Sequence, residues 1–221
     1  MVITLGGDGL IMNVANTVAD HKIPILRINF GHVGFLADVE PEDALAKIRE
    51  VVEKKNYIIV KKTRLEVLVG NRGEADIERN FLKDATALND IDIERSNTKI
   101  ITVMVRILAD GMAKEYIFRA DGVLFFTKTG STAYNSSAGG RPLFKEYFLG
   151  IKAVSPTCAD APDQLILKDN VVIEVELIEG KALVVADDKK IAVMAGKKII
   201  IRKSDVCNFF IEVGDVPRME A

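Results

Sequence analysis

Residues 125–140 have the sequence FFTKTGSTAYNSSAGG, and the organisation of the chain is best understood from this stretch outward. Val123 to Phe126 are apolar without alternation, which predicts a strand covered on both faces. Gly130 breaks the strand, and the small and hydroxylated residues after it predict a helix start capped by Ser131 and Thr132. Because a helix N-terminus presents free N–H groups, we expect this turn to accept a polar or anionic ligand.

The composition is that of a soluble globular protein, with 48% apolar and 28% charged residues among 221. The 30 basic and 32 acidic residues are well mixed, so no basic surface for nucleic acid is expected. No apolar run approaches the roughly 20 residues of a membrane span, and the first residues lack the basic segment of a signal peptide. We therefore expect a cytoplasmic protein that binds neither nucleic acid nor membrane.

The cysteines and histidines do not suggest a metal or hydrolase site. Cys158 and Cys207 stand alone in different segments, which favours two buried small hydrophobic residues over a zinc or redox role. His21 and His32 both occur early, and nothing in the sequence pairs either with a serine nucleophile.

The first part of the chain has an α/β pattern. A short apolar strand, Val2 to Leu5, enters the turn Gly6–Gly9, and apolar residues then recur at helical spacing up to about Asp20. Ile23 to Ile28 are mostly apolar on successive positions, as in a parallel sheet covered by helices. We assign residues 1–56 to a small, partial Rossmann-like α/β domain that carries the turn Gly6–Gly9.

The remainder, residues 57–221, is predicted to form an antiparallel β-rich, β-sandwich-like domain that contains residues 125–140. Ile100 to Ala109 and Met112 to Ala120 flank Asp110-Gly111 and predict a hairpin. Four later strands separated by tight turns predict a meander: Val171 to Ile178, Lys181 to Ala186, Lys189 to Met194 and Lys197 to Arg202. No flexible linker separates the two parts, so C-terminal residues are expected to pack back on the α/β part.

A parallel sheet with only two strands ahead of the β-rich part would be thin. The strand Val2 to Leu5 would also expose an unpaired edge. We expect either a further N-terminal portion, a covering segment from elsewhere in the chain, or a homo-oligomer such as a dimer or tetramer.

The turn Gly6-Gly7-Asp8-Gly9 places a carboxylate among three glycines between a strand and a helix. Glycines allow close backbone approach, and outward N–H groups suit a phosphate. Asp8 is then a candidate general base or a ligand of phosphate-bound Mg²⁺. Taken alone, the tetrapeptide favours an ordinary strand-to-helix turn with an N-capping aspartate over such a site.

Four blocks of the chain resemble, in the same order, the motifs of the NAD kinase family. Residues 6–9 resemble its GGDG turn, and residues 29–36 resemble its N-x-G-x-x-G-F-L loop. Asn89-Asp90 stands where the family has Asn-Glu, and residues 119–140 resemble its DG…TGSTAY…SAGG signature. The chain looks like an N-terminally short and divergent member of this family.

The resemblance implies transfer of a phosphoryl group to the 2′-hydroxyl of the adenosine ribose of NAD, giving NADP. Asp8 would take the hydroxyl proton, while Gly6, Gly7 and Gly9 would line the triphosphate of ATP, which carries Mg²⁺. It also implies that residues 1–56 bind nucleotide, that residues 57–221 bind NAD, and that Arg119 and Asp121 reach a dinucleotide bound mainly by a neighbouring subunit. The implied NAD-binding residues are Phe35, Asn89, Asp90, Arg119, Asp121, Thr132, Ala133, Tyr134 and Ser137.

The chain departs from the family pattern at several positions. Leu10 replaces the threonine after GGDG, and Asp90 is one methylene shorter than glutamate. Residues 155–163 contain no histidine where the family has Pro-His, and Asp187-Asp188 replaces Asp-Gly. The alternatives are therefore a catalytically weak or inactive NAD-binding regulatory homologue and, third, a lipid kinase with the same GGDG turn. Polyphosphate remains open as the donor, and NADH as the acceptor.

Overall fold

The computed structural model describes residues 1–31, 36–71, 82–146, 148–158, 161–193 and 197–213. The chain divides into two compact units, one of Met1–Lys62 with the segment from Val206, the other of Thr63–Asp205. The helices are α1 (Asp8–Val18), α2 (Ala44–Val52) and α3 (Tyr134–Ser137). The strands are β1 (Val2–Gly6), β2 (Pro24–Asn29), β3 (Ile58–Asn71), β4 (Leu82–Ala87), β5 (Asp90–Arg95), β6 (Ile101–Ala109), β7 (Met112–Ala120), β8 (Gly122–Phe126), β9 (Phe148–Val154), β10 (Leu165–Lys168), β11 (Val172–Glu179), β12 (Ala182–Ala186), β13 (Lys189–Val193) and β14 (Lys197–Glu212).

The first unit is an α/β layer with three parallel strands. β1 pairs with β2 in parallel, and the C-terminal end of β14 pairs with β2 at Phe209 and Pro24. Leu26 and Ile28 of β2 have no exposed surface and pack with Ile211 and with residues of α2. β14 therefore supplies a strand that the N-terminal sequence lacks. β1 remains at the sheet edge, because no strand in the described ranges pairs with its other side.

The second unit consists of two antiparallel sheets with one hydrophobic core. In the first sheet β11 lies between β14 and β6, and β7 follows β6; the second has the order β10-β9-β8-β5-β12-β13. Inward residues of both sheets, such as Val103 and Val105 of β6 and Ile91 and Ile93 of β5, belong to one buried cluster. The expected combination of an α/β part and a β-sandwich-like part is confirmed.

The hairpin of β6 and β7 is confirmed, whereas the four-stranded meander is wrong. The hairpin turn has positive φ at Asp110 and Gly111, +49° and +76°, as a type I′ turn requires. In contrast, β11 belongs to one sheet and β12 to the other, so only β12 and β13 form a hairpin. The chain crosses between the sheets at Gly180, where φ is +99°. Both strands bury apolar residues in the same core, an arrangement that turn signals do not distinguish from a meander.

The strand at the start of the 125–140 stretch is as expected, but the helix after it is not. All five residues of β8 are buried between β5 and β9. A single 3₁₀ turn at Gly130–Thr132 and the four-residue α3 follow. The hydroxyls of Ser131 and Thr132 donate backward to carbonyls in residues 128–129, at 2.7 and 3.2 Å, instead of capping α3. The predicted anion site at a helix N-terminus is therefore wrong here, because one turn accumulates little dipole.

Within the described ranges, no helix is long and apolar enough to cross a membrane. Cys207 is buried, and Cys158 packs half-buried against the core of the second unit.

Candidate functional site

The glycine turn of the first unit leaves backbone open at the start of α1. The carbonyl of Gly7 accepts hydrogen bonds from the N–H groups of Leu10 and Ile11 at 3.1 and 3.2 Å, so the turn leads directly into the helix. A Cβ at Gly31 would lie 2.7 Å from the Cα of Gly7, which means that these two loops approach as only glycines allow. A Cβ at Gly9 would meet no atom within 4 Å. The turn thus has a tightly packed side and an open side.

Asp8 is the first residue of α1, and a neighbouring loop holds its carboxylate. Asp8 Oδ1 accepts a hydrogen bond from the N–H of Leu36 at 3.2 Å. The carbonyl of Leu36 in turn accepts one from Arg27 Nη1 at 2.6 Å. The backbone of Leu36 is therefore held at its N–H by the carboxylate and at its carbonyl by a buried guanidinium.

Arg27 was missed by the sequence analysis. It is 4% exposed, pairs with Asp38 and lies over the ring of Phe210 at 4.3 Å. Burial lowers the pKa of Arg27 to about 10, although the negative charges of Glu212 and Asp8 oppose this shift. A single arginine inside an otherwise apolar strand could have indicated this role, because a buried charge must be paired.

In the second unit, the structure brings Asn89 against the loop Thr127–Gly130, about 40 residues later in the sequence. Thr127 donates from its N–H to the carbonyl of Asn89 at 2.9 Å and from its hydroxyl to the carbonyl of Leu88 at 2.6 Å. A Cβ at Gly130 would overlap the carbonyl group of Asn89 and lie 2.7 Å from its Cα. Only glycine fits at position 130, because the opposing atoms are backbone.

Asp187 holds the segment Leu88–Asp90 in place. The sequence analysis noted this residue only because Asp187-Asp188 replaces the Asp-Gly of the family pattern. Its carboxylate accepts hydrogen bonds from the N–H groups of Leu88, Asn89 and Asp90 at 3.0, 2.8 and 3.4 Å. Its own N–H donates to the carbonyl of Asp90 at 2.9 Å, and Arg64 Nη2 lies 4.0 Å from Oδ2. Asp187 has φ of +53°, which an aspartate in a turn tolerates.

β5 carries a row of three carboxylates on one face. Asp90, Asp92 and Glu94 alternate with Ile91 and Ile93, whose side chains enter the core. The sequence analysis selected only the first of these acids. Asp90 and Asp92 are 5% and 9% exposed, which is unusual for ionisable residues.

Burial and neighbouring carboxylates raise the pKa values of two members of this row. Burial, with a smaller contribution from Asp187, raises the pKa of Asp90 to about 7. Burial and then the charges of Asp90, Glu94 and Asp187 raise the pKa of Asp92 to about 8. Burial and nearby carboxylates, Asp92 first among them, also raise the pKa of Tyr134. Such clustered shifts are typical of functional sites.

A cavity of about 620 Å³ lies beside this row. Asp121 and Tyr134, both selected from the sequence, line it together with Asp92, Glu94 and Arg95, which were not. Asn89 and Asp90 do not line this cavity, although Asp90 is the first residue of β5 and Asn89 directly precedes it.

The other selected residues take different positions. Thr132 and Ala133 are half-buried beside Gly130, while Ser137 and Arg119 are exposed. The carbonyl of Arg119 accepts a hydrogen bond from the N–H of Thr157 at 3.0 Å. Phe35 lies outside the described residues.

The structure thus presents one unit with an open glycine turn and a carboxylate, and another with a carboxylate-lined cavity. An open glycine turn at the start of a helix is typical of proteins that bind phosphate-containing ligands such as nucleotides. Sequence models described as the ATP-NAD kinase N-terminal domain and the ATP-NAD kinase C-terminal domain match residues 1–57 and 88–213 respectively. The chain belongs to the NAD kinase family, as the motifs predicted.

Similar proteins support this assignment. The NAD kinase of Caldicellulosiruptor saccharolyticus is 34% identical over 85% of this chain and 66% of its own length. That of Mycolicibacterium paratuberculosis is 32% identical over 98% of this chain and 68% of its own length. The chain thus spans about two thirds of these relatives.

Two solved structures share the fold. Yeast NADH kinase complexed with NADH superposes with a TM-score of 0.83 at 23% identity, covering 96% of this chain and 61% of the yeast chain. An NAD kinase from Archaeoglobus fulgidus in complex with ATP has a TM-score of 0.75 at 28% identity, covering 95% of this chain and 76% of its own.

Proposed function

We propose that this protein transfers a phosphoryl group from ATP to the 2′-hydroxyl of the adenosine ribose of NAD, giving NADP. The observation that carries the proposal is Asp8, held by the Leu36 N–H at the edge of an open glycine turn. The curated relatives named NAD kinase and the Archaeoglobus structure in complex with ATP support it. A cytoplasmic location follows from the proposal, because ATP and NAD are cytoplasmic metabolites.

The first unit would bind the phosphates and supply the base. The open backbone at Gly9, with Gly6 and Gly7 before it, suits the triphosphate of ATP or a polyphosphate chain. Asp8 would accept the proton of the 2′-hydroxyl, since its carboxylate is already oriented by Leu36. Most of the rate would come from positioning and charge neutralisation, as in other phosphoryl transfers.

Mg²⁺ fits this arrangement as an ion that arrives with ATP. The described residues contain no cluster of three or more metal-binding side chains, so a dedicated protein cage is not present among them. Mg²⁺ commonly binds through one carboxylate and substrate phosphates, and Asp8 is the carboxylate at this turn. When bound, the ion would neutralise charge on the phosphates.

The second unit would bind NAD. Asn89 Oδ1 is buried without a hydrogen-bond partner among the described residues, so it can accept a ribose hydroxyl or an amino group. Asp90 lies beside it, and the half-buried Thr132 and Ala133 leave room for a flat ring. We assign ribose or nicotinamide-side groups of NAD to Asn89 and Asp90, and the adenine and its ribose to Thr132, Ala133, Tyr134 and Ser137. Phe35 would supply an apolar wall.

We also propose that the protein is a homo-oligomer in which Arg119 and Asp121 contact a dinucleotide bound mainly by a neighbouring subunit. The exposure of Arg119 leaves its guanidinium available to such a ligand. Sedimentation of a stable monomer at working concentration would contradict this part of the proposal.

A second candidate is an NAD-binding protein that transfers no phosphate. Leu10 favours it, because an apolar and 44% exposed side chain stands where a hydroxyl could contact phosphate. The match of residues 88–213 to the NAD kinase C-terminal domain removes support from the lipid kinase alternative.

The decisive experiment incubates the purified protein with NAD and Mg-ATP or polyphosphate and measures NADP. We expect NADP from the wild type, none from Asp8→Asn, and unchanged NAD binding in that variant. Asp20→Asn, an exposed change beyond the end of α1, is the matched control and should retain activity. A wild type that binds NAD but forms no NADP with either donor would favour the second candidate.

A further inference from the structure

The cavity of the second unit has a marked charge imbalance. Its lining includes Asp92, Glu94 and Asp121, and Arg95 is the only cation among the described lining residues. Arg95 Nε lies 2.8 Å from Asp121 Oδ1, so this pair compensates itself. Asp92 and Glu94 remain as acids without a cationic partner in the lining. At about 620 Å³ the cavity is large enough for a small organic ligand.

Asp92 is the unusual member of the row. Its side chain is more than nine-tenths buried, and Oδ1 has no hydrogen-bond partner among the described residues. A buried polar atom without a partner is costly, and native structures retain few of them. A ligand that supplies a donor or a positive charge would remove this cost.

The site is suited to an organic cation rather than to a metal ion. The described residues contain no group of three side chains close enough to hold a metal, so these carboxylates do not converge on one point. Dispersed acids in a cavity of this size match a flat, positively charged ring.

We propose that Asp92, together with Glu94, makes this cavity the binding site for the positively charged nicotinamide ring of oxidised NAD and selects it over the uncharged ring of NADH. This inference rests on the proposed binding of NAD. The two dinucleotides have the same phosphates, adenine and sugars, and differ only in this ring, so a carboxylate beside it discriminates between them by charge.

Proton release when NAD⁺ binds provides a second test of this assignment. The titratable groups that face Asp92 are Asp90 and Glu94 along β5, Asp187 after β12, and Tyr134 of α3. Burial and these acids raise the pKa of Asp92 to about 8, so the free carboxyl is largely protonated at pH 7. A neighbouring cation favours the ionised form and lowers that pKa. Binding of NAD⁺ is therefore expected to release protons, whereas binding of NADH is not.

The test measures NAD⁺ and NADH binding to the full chain by isothermal titration calorimetry at pH 7, in two buffers that differ in ionisation enthalpy. We expect the wild type to prefer NAD⁺ by about tenfold, the effect of one partly screened carboxylate. Asp92→Asn should lose most of this preference and the proton release. Glu94→Gln, an exposed change that spares the buried position, should lose a smaller part. Asp205→Asn, exposed and outside the cavity lining, should behave like the wild type.

The outcomes separate this inference from the proposed function. A wild type without NAD⁺ preference, or Asp92→Asn and Glu94→Gln variants that both retain it, would overturn the inference. If NADP still forms in that case, the proposed phosphoryl transfer stands. A preference that depends on Asp92 in a protein forming no NADP would support the cavity assignment and contradict the transfer.

Discussion

Replacing Asp187 by asparagine tests whether this carboxylate holds the Asn89–Asp90 segment in place. Asparagine tolerates the positive φ of +53° as well as aspartate does, so the substitution leaves the backbone unstrained. It removes the charge and one of the two oxygens that accept from Leu88 and Asn89 at 3.0 and 2.8 Å. One buried N–H would then face an amide NH₂ group instead of an oxygen.

The expected loss of stability in Asp187→Asn follows from these contacts. A hydrogen bond to a charged acceptor contributes about 1.5–3 kcal/mol, and a buried donor left unsatisfied costs a similar amount. The ion pair with Arg64, 4.0 Å away and buried on both sides, is lost as well. We expect the free energy of unfolding to fall by about 2–4 kcal/mol, which corresponds to roughly 1–2 M in the urea midpoint. The pKa of Asp90 should also fall, because Asp187 contributes to its rise.

The matched control is the adjacent Asp188→Asn, since Asp188 is exposed and carries the same charge. Urea unfolding followed by circular dichroism compares both variants with the wild type, and NAD titration reports the site. The control should stay within about 0.5 kcal/mol of the wild type. If Asp187→Asn does the same and binds NAD normally, the carboxylate does not organise this segment.

Two further predictions concern the same unit. Gly130→Ala places a Cβ against the backbone of Asn89, so it should lower the free energy of unfolding by about 1–3 kcal/mol or more and weaken NAD binding. The control is Gly9→Ala, whose Cβ meets nothing within 4 Å and which should leave the urea midpoint unchanged or higher. Equal midpoints for the two variants would contradict the close approach. The folded-state pKa values of about 7 for Asp90 and about 8 for Asp92 lie above the unfolded value, so folded molecules hold extra protons between about pH 4 and 8 and stability falls as pH rises through that range. The melting temperature should drop between pH 5.5 and 8.5, and less so in Asp92→Asn; a rise would refute the shifts.

The sequence alone predicted those elements whose conformation depends on the residue types within the element itself. β8 was predicted from unbroken apolar residues, and the β6–β7 hairpin from Asp110-Gly111, because burial on two faces and positive φ both select residue types directly. The motif at residues 125–140 also indicated the family. By contrast, it did not reveal that α3 is a single turn, since Asn135 donates to the carbonyls of Ser131 and Arg141 and closes the loop on itself.

The assignment of strands to sheets required the tertiary structure. β11 and β12 follow each other with a two-residue turn yet lie in different sheets, because each completes the same core from an opposite side. Similarly, β14 supplies the third parallel strand of the first unit from the far end of the chain. Turn chemistry specifies a change of direction but not the partner that the next strand will find.

By itself, the sequence determined the fold class, the family and the glycine and aspartate positions of the turn at Asp8, since these depend on neighbouring residues. Only the tertiary structure showed that Asp187 anchors Asn89 from 98 residues away and that Arg27 binds the carbonyl of Leu36, whose N–H contacts Asp8. It also showed that Asp92 is buried at a cavity. A carboxylate in a sequence has the same letter whether it is solvated or buried, and its pKa and partners are set by groups that folding brings to it.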